Sequence, residues 1–204
     1  MKKEENKVSD IKLAYVGGGS RGWAWGLMGD IALDGQIDGE IRLFDIDMEA
    51  AHQNEIVGGK IFGSQKAKCK WEVNAYNTLE EALQGADFVV ISIQPATYKE
   101  MQSDVHAPEK YGIYQAVGDT VGPGGIIRGL RAIPMFEEIA LGVKRYCPNA
   151  WVINYTNPMT ICTRALYEAY PGIKAFGCCH EVFGTQKILT MMLEDLKGIK
   201  DVDR

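Results

Sequence analysis

The chain has no apolar run of the roughly 20 residues that a bilayer-spanning helix needs, so no membrane partner is expected. It also has no excess of basic residues. Lys and Arg number 22 against 27 Asp and Glu, and the formal charge of -5 argues against general nucleic-acid binding. The five cysteines follow no regular framework, and adjacent Cys178 and Cys179 would point to opposite faces of a strand. Reduced thiols in a cytoplasmic protein are therefore expected. Met1 to Asp10 is charged and lacks the hydrophobic stretch of a signal peptide, which predicts a flexible, solvated tail over 1–10. There is no internal repeat, no low-complexity segment and no Pro/Gly-rich linker. What remains is one domain over 11–204, long enough to bury a full core.

Along that domain, β-prone and helical stretches alternate. Ile11 to Val16 reads as a strand that stops at Gly17-Gly18-Gly19-Ser20, with a helix from Arg21 to Leu33. Ile41 to Phe44 is a strand ending in Asp45-Ile46-Asp47, followed by a helix from Met48 to Gly63 and a strand at Trp71 to Val73. Thr78 and Glu81 stand at capping-box spacing before a short helix. The continuous apolar run Phe88 to Ile93 predicts a buried strand. Tyr98 to Gly129, rich in glycine and without a clean period, predicts loops and broken helix, and a helix is expected from Leu130 to Tyr146. Strands at Trp151 to Tyr155 and Lys174 to Cys178 enclose a helix from Thr160 to Tyr170, and an amphipathic helix runs from Val182 to Leu196. Alternation of this kind predicts an α/β, doubly wound parallel sheet covered on both faces.

Gly17-x-Gly19-x-x-Gly22 lies between the first strand and the first helix, the context required of a dinucleotide fingerprint. The first glycine permits the turn, the second lets a pyrophosphate approach the backbone, and the third lets helix pack on strand. The phosphates would lie at the helix N-terminus. Gly17, Gly18, Gly19, Ser20, Arg21 and Gly22 are thus the candidate cofactor cradle. Asp45, 23 residues beyond Gly22 at the end of the second strand, would bind the adenosine ribose and favour NAD over NADP. Asp47 competes for that role. The fold expected is of Rossmann type.

Ligands of open α/β sheets bind at the carboxyl edge, where Ile93-Gln94-Pro95, Asn157-Pro158 and Cys179-His180-Glu181 would all emerge. Cys179 and His180 bring a soft sulfur and a titratable ring together, a combination suited to metal binding and proton transfer. Bland readings stand beside these. Cys179 can be a buried thiol, His180 a hydrogen-bonded loop histidine, Glu181 a partner of the last helix dipole, Asn157-Pro158 a turn, and Asp119 a solvated loop carboxylate. His106 has no identifiable partner in the sequence.

The chain resembles the family 4 glycoside hydrolases. The resemblance rests on Val16 to Ser20, on Gly122 to Gly125 followed by Leu130 to Pro134, on Thr156-Asn157-Pro158, and on Cys179-His180-Glu181-Val182. It implies a lactate/malate-dehydrogenase-like fold, with NAD and Mn2+ as cofactors. It also implies hydrolysis by oxidation at C3 of the sugar, deprotonation at C2 and elimination of the glycosidic oxygen, outside the paired-carboxylate mechanism. By position it makes Cys179 the metal-binding cysteine, His180 a catalytic residue assisting the leaving group, and Asn157 a substrate contact. The Cys-His-Glu-Val ending resembles the α-galacturonidase subgroup, with α-glucosidase and α-galactosidase as alternatives. A uronate needs a cationic partner, for which Arg128 and Arg131 are candidates, with Arg131 equally readable as a structural helix-start residue. The resemblance further implies a homo-oligomer at full length. It places a second metal-binding histidine, a tyrosine base and the substrate domain beyond Arg204, so that these residues bind NAD without turnover of their own. A lactate/malate-type dehydrogenase and a non-catalytic NAD-binding module are the rival readings. The dehydrogenase would place arginine after the Phe88 to Ile93 strand, where Gln94-Pro95-Ala96-Thr97-Tyr98 has none.

Overall fold

The computed structural model describes residues 1–4 and 7–200. Among the described residues seven strands form one sheet: β1 (Lys2–Glu4), β2 (Lys7–Val16), β3 (Ile37–Phe44), β4 (Trp71–Ala75), β5 (Phe88–Ile91), β6 (Trp151–Asn154) and β7 (Lys174–Gly177). Their order is β4-β3-β2-β5-β6-β7, parallel throughout, with β1 pairing antiparallel to β2. The order reverses between β2 and β5. This is the topological switch point, where the connections leave to opposite sides and open a crevice at the strand ends.

The helices are α1 (Trp23–Asp34), α2 (Met48–Phe62), α3 (Leu79–Leu83), α4 (Tyr98–His106), α5 (Gly122–Tyr146), α6 (Met159–Ala169) and α7 (Glu181–Lys197), with a 3-10 turn at Ala107–Tyr111. Side chains alternate across β2 and divide the core in two. Ala14 and Val16 join Val89, Phe136, Val152 and Leu166 on the α3–α5–α6 side. Leu13 and Tyr15 join Met28, Ile41, Leu43 and Trp71 on the α1–α2 side. Both faces of β2 are therefore apolar, as a strand buried between two helical layers requires.

Two expectations need correction, and a third element adds a finding. The segment read as a flexible tail contributes β1 and the first residues of β2, paired antiparallel, with Lys2 bridging Asp10 at 2.7 Å. The stretch predicted as loop and broken helix up to Gly129 is already ordered helix from Gly122. Pro123 sits in its first turn, where a missing N–H costs nothing. Glycine there marks close packing, since a Cβ on Gly124 would come within 2.5 Å of the Gly118 carbonyl oxygen. Finally, α7 is a helix as expected but buries none of its residues.

Candidate active site

The crevice at the switch point begins where β2 ends. Gly17 takes φ +96, and a Cβ on it would stand 2.1 Å from the carbonyl oxygen of Ser92, beyond β5. Only glycine tolerates both. The turn is then tied to β3, because the amides of Gly17 and Gly18 both donate to the carbonyl of Phe44 at 2.9 Å. Asp45, the next residue, accepts from Gly19 N at 2.9 Å and from Asp47 N at 3.0 Å. Asp47 itself caps α2 by accepting from Ala50 N at 3.1 Å, so of the two aspartates it is Asp45 that faces the glycine turn.

The turn feeds α1, whose N-cap is Gly22. Among the described residues no side chain caps this end, and no acidic residue lies in its first turn. Its orphan amides and positive dipole end are therefore open to an anion, as a pyrophosphate requires. Ser20 is half-buried and Arg21 exposed beside it. Gly22 departs from expectation. A Cβ there would meet nothing within 4 Å, so it faces open space and does not relieve helix–strand packing, where buried Ala24 takes the contact.

Asn54 on α2 carries a role that the sequence did not announce. It is 1 % exposed, donates to the carbonyls of Gly18 at 2.7 Å and Ser20 at 2.9 Å, and accepts from Trp25 Nε1 at 2.6 Å. One buried amide thus holds the glycine turn from beneath. The only sequence signal is a polar residue on the inward stripe of a helix.

On the other side of the switch point, Thr156 Oγ1 accepts from Ile93 N at 2.9 Å and joins the loops that follow β5 and β6. Buried Arg128 spans the same two loops, donating from Nε to the Asn157 carbonyl and from Nη2 to Gln94 Oε1, each at 3.0 Å. The Asn157 amide donates to Asp119 Oδ2 at 3.3 Å, so that loop carboxylate touches the candidate substrate asparagine. Arg131 is neutralised by Asp104 through a two-pronged ion pair and is structural. Among the described residues Arg128 has only neutral hydrogen-bond partners.

The Cys179-His180 turn follows β7. Cys178 N donates to the Asn154 carbonyl at 2.9 Å, anchoring the turn, and Cys179 is half-buried. His180 is exposed and Glu181 occupies the first turn of α7, where its charge suits the helix dipole. Burial pushes the Cys147 and Cys162 thiols up to about 12, so they are inert core groups. His106, by contrast with its sequence reading, has a partner in Glu109 at 2.7 Å.

Two rings join this turn to the cradle. Trp23, the first residue of α1, lies 5.6 Å from Tyr155 and 5.9 Å from His180, centroid to centroid. Burial, followed by the neighbouring Cys178, raises the Tyr155 phenol above its ordinary value. The fingerprint and the Cys-His turn are thus one continuous surface. A metal is a different matter. Among the described residues no three His, Cys, Asp or Glu cluster as a metal centre, and Cys179 alone offers one ligand.

Residues 12–195 match the family 4 glycosyl hydrolases. The α-galacturonidase of Thermoanaerobacterium saccharolyticum is 63% identical over 204 residues, which are 100% of this chain and 44% of that protein. A crystal structure from Bacillus subtilis shares 54% identity at a TM-score of 0.88, covering 97% of this chain and 44% of that one. The 6-phospho-β-glucosidase of Thermotoga maritima, solved with manganese, NAD+ and glucose-6-phosphate, shares 27% identity at a TM-score of 0.76, over 90% of this chain and 43% of that one. The chain therefore spans less than half the length of these relatives. With the glycine turn, the switch point and the Cys-His turn in place, the chain belongs to the family 4 glycosyl hydrolases.

Proposed function

We propose that these residues form the NAD-binding part of a glycoside hydrolase acting on α-galacturonides. The observation that carries the proposal is the contact of Trp23 with His180, which puts the candidate acid beside the dinucleotide cradle. The α-galacturonidase identity of 63% over the whole chain supports the substrate class.

The cradle suits NAD on its own geometry. Gly17, Gly18, Gly19, Ser20, Arg21 and Gly22 would surround the pyrophosphate at the uncapped end of α1, and Asp45 would meet the ribose hydroxyls. When bound, NAD supplies a hydride acceptor. The chain's own residues then have separable tasks. Asn54 and Asp45 keep the cradle in shape, Arg128 fixes the Asn157 loop, and Asn157 presents its side chain to a sugar. His180 gives a proton to the departing glycosidic oxygen. Mn2+ is the metal we propose for the whole enzyme, by kinship with the Thermotoga maritima protein. Cys179 is the ligand these residues contribute, but they do not make a metal centre by themselves, so no step here depends on it. The domain reading over 11–204 accompanies this proposal. A cytoplasmic setting agrees with the free cysteines. A homo-oligomer without nucleic-acid or membrane partners is part of the same proposal, supported by the family resemblance and the acidic charge.

The test is a substrate panel on the protein at its natural length. Aryl α-galacturonide, α-glucoside and α-galactoside are compared with and without NAD and Mn2+. Cleavage of the galacturonide alone, needing both, supports the proposal. Preference for a neutral glycoside transfers the function to that subgroup, and turnover of 2-hydroxy acids instead would make the protein a dehydrogenase.

A further inference from the structure

We infer that Trp23 is a positioning residue for His180, holding the imidazole at the junction between the dinucleotide cradle and the substrate edge. This rests on the proposed role of His180 as proton donor. Among the described residues no hydrogen bond holds the His180 ring, which is exposed at the start of α7. Its one ring contact there is the Trp23 indole, 5.9 Å away with the planes inclined at 46°.

The indole is itself fixed from behind. Tyr155 lies 5.6 Å from it at 33°, packs against the α1–α2 core, and has its amide bonded to the Ile91 carbonyl at 2.8 Å. Trp23 is not needed by that core. It is 50 % exposed and belongs to neither buried cluster, while Ala24, Met28 and Ile31 of the same helix fill the interior. A large apolar ring left half in solvent at the first position of a helix, and seated between two other rings, is placed for the surface it makes. Tyr155, Trp23 and His180 form a row of mutually tilted rings that runs from the core to the exposed imidazole.

The consequence concerns bond breaking. As the C1–O bond of the glycoside breaks, its electron pair passes to the departing oxygen. Protonated His180 gives that oxygen its proton and becomes neutral imidazole. Such transfer depends on a donor held within hydrogen-bond reach, and a ring free to rotate spends much of its time elsewhere. Without the indole, acid assistance falls although cofactor and sugar still bind.

The experiment compares Trp23→Ala, Trp23→Phe and His180→Asn in the protein at its natural length, on 4-nitrophenyl, phenyl and methyl α-galacturonides. A nitrophenolate leaves with little help, whereas methoxide needs a proton. Trp23→Ala is expected to lose about tenfold or more in kcat/KM on the methyl glycoside and less than about threefold on the nitrophenyl one. Trp23→Phe, which keeps a ring, restores the methyl glycoside to within about threefold of the parent, and calorimetric NAD affinity stays within about twofold. Should the alanine variant not fold, Trp23→Leu carries the same comparison. An equal loss on all three substrates, no loss on any, or a phenylalanine variant as poor as alanine would overturn the inference. His180→Asn separates the two levels. A leaving-group dependence in His180→Asn with none in Trp23→Ala overturns the role of Trp23 alone. No dependence in His180→Asn removes the proton-donor reading and the inference with it.

Discussion

Replacing Asn54 by Ala removes three hydrogen bonds at once: two donated to Gly18 and Ser20 carbonyls and one accepted from Trp25. A net hydrogen bond is worth about 0.5–1.5 kcal/mol, so the loss should come to roughly 3 kcal/mol. That is a large share of the stability of about 5–15 kcal/mol usual for a domain. Trp25→Phe loses one bond only and should cost about 1 kcal/mol. Asn54→Asp retains the acceptor for Trp25 but turns a carboxylate towards two carbonyls in a buried site, and should be worse than Ala. Urea unfolding gives the three stabilities, and calorimetry gives NAD affinity for each variant. Because the lost bonds belong to the cradle, loss of about 1.4 kcal/mol from its ordered form weakens NAD about tenfold. An Asn54→Ala protein within about 0.5 kcal/mol of the parent, with unchanged NAD affinity, would refute the bracing role.

Other outcomes follow from the same geometry. Gly17→Ala forces a Cβ to within 2.1 Å of the Ser92 carbonyl at φ +96, and should abolish measurable NAD binding in calorimetry. Phe136→Ala, which empties a fully buried site in the α5 core, should lower unfolding stability by about 3–5 kcal/mol in urea titrations. Stability should fall as pH rises through the range from 9.0 to about 12. The Cys147 and Cys162 thiols ionise near 9.0 when unfolded but are held protonated up to about 12 when folded, so the unfolded state loses protons first. Unfolding curves from pH 8 upward check this, and double replacement of both cysteines by Ala should flatten the slope.

Much of the fold could be read from the sequence because central strands such as Phe88–Ile91 are apolar runs that alternate with helical stretches. The Thr78–Glu81 capping box appears as its spacing predicted. The glycine fingerprint and Asp45 meet in space because the βαβ unit brings the ends of β2 and β3 together. What escaped depends on contacts distant in the chain. Asn54 meets Gly18 from 36 positions away, and Trp23 meets His180 from the far end of the chain. Local pattern carries neither contact. Glycine and proline misled at Gly122–Gly125, where they signal close helix packing and a permissive first turn instead of a loop. The sequence leaves Arg131 as either a cationic partner or a structural helix-start residue, and Asp104, from another helix, decides for the structural role.

The most direct measurement is a calorimetric titration of NAD and NADP into the 204-residue chain, in parallel with Asp45→Ala. Saturable 1:1 binding of NAD, with NADP and the Asp45 variant each weaker by about tenfold or more, is the predicted result. No binding of either nucleotide, or equal binding of both that ignores Asp45, would contradict the assignment of the switch-point crevice as the cofactor site.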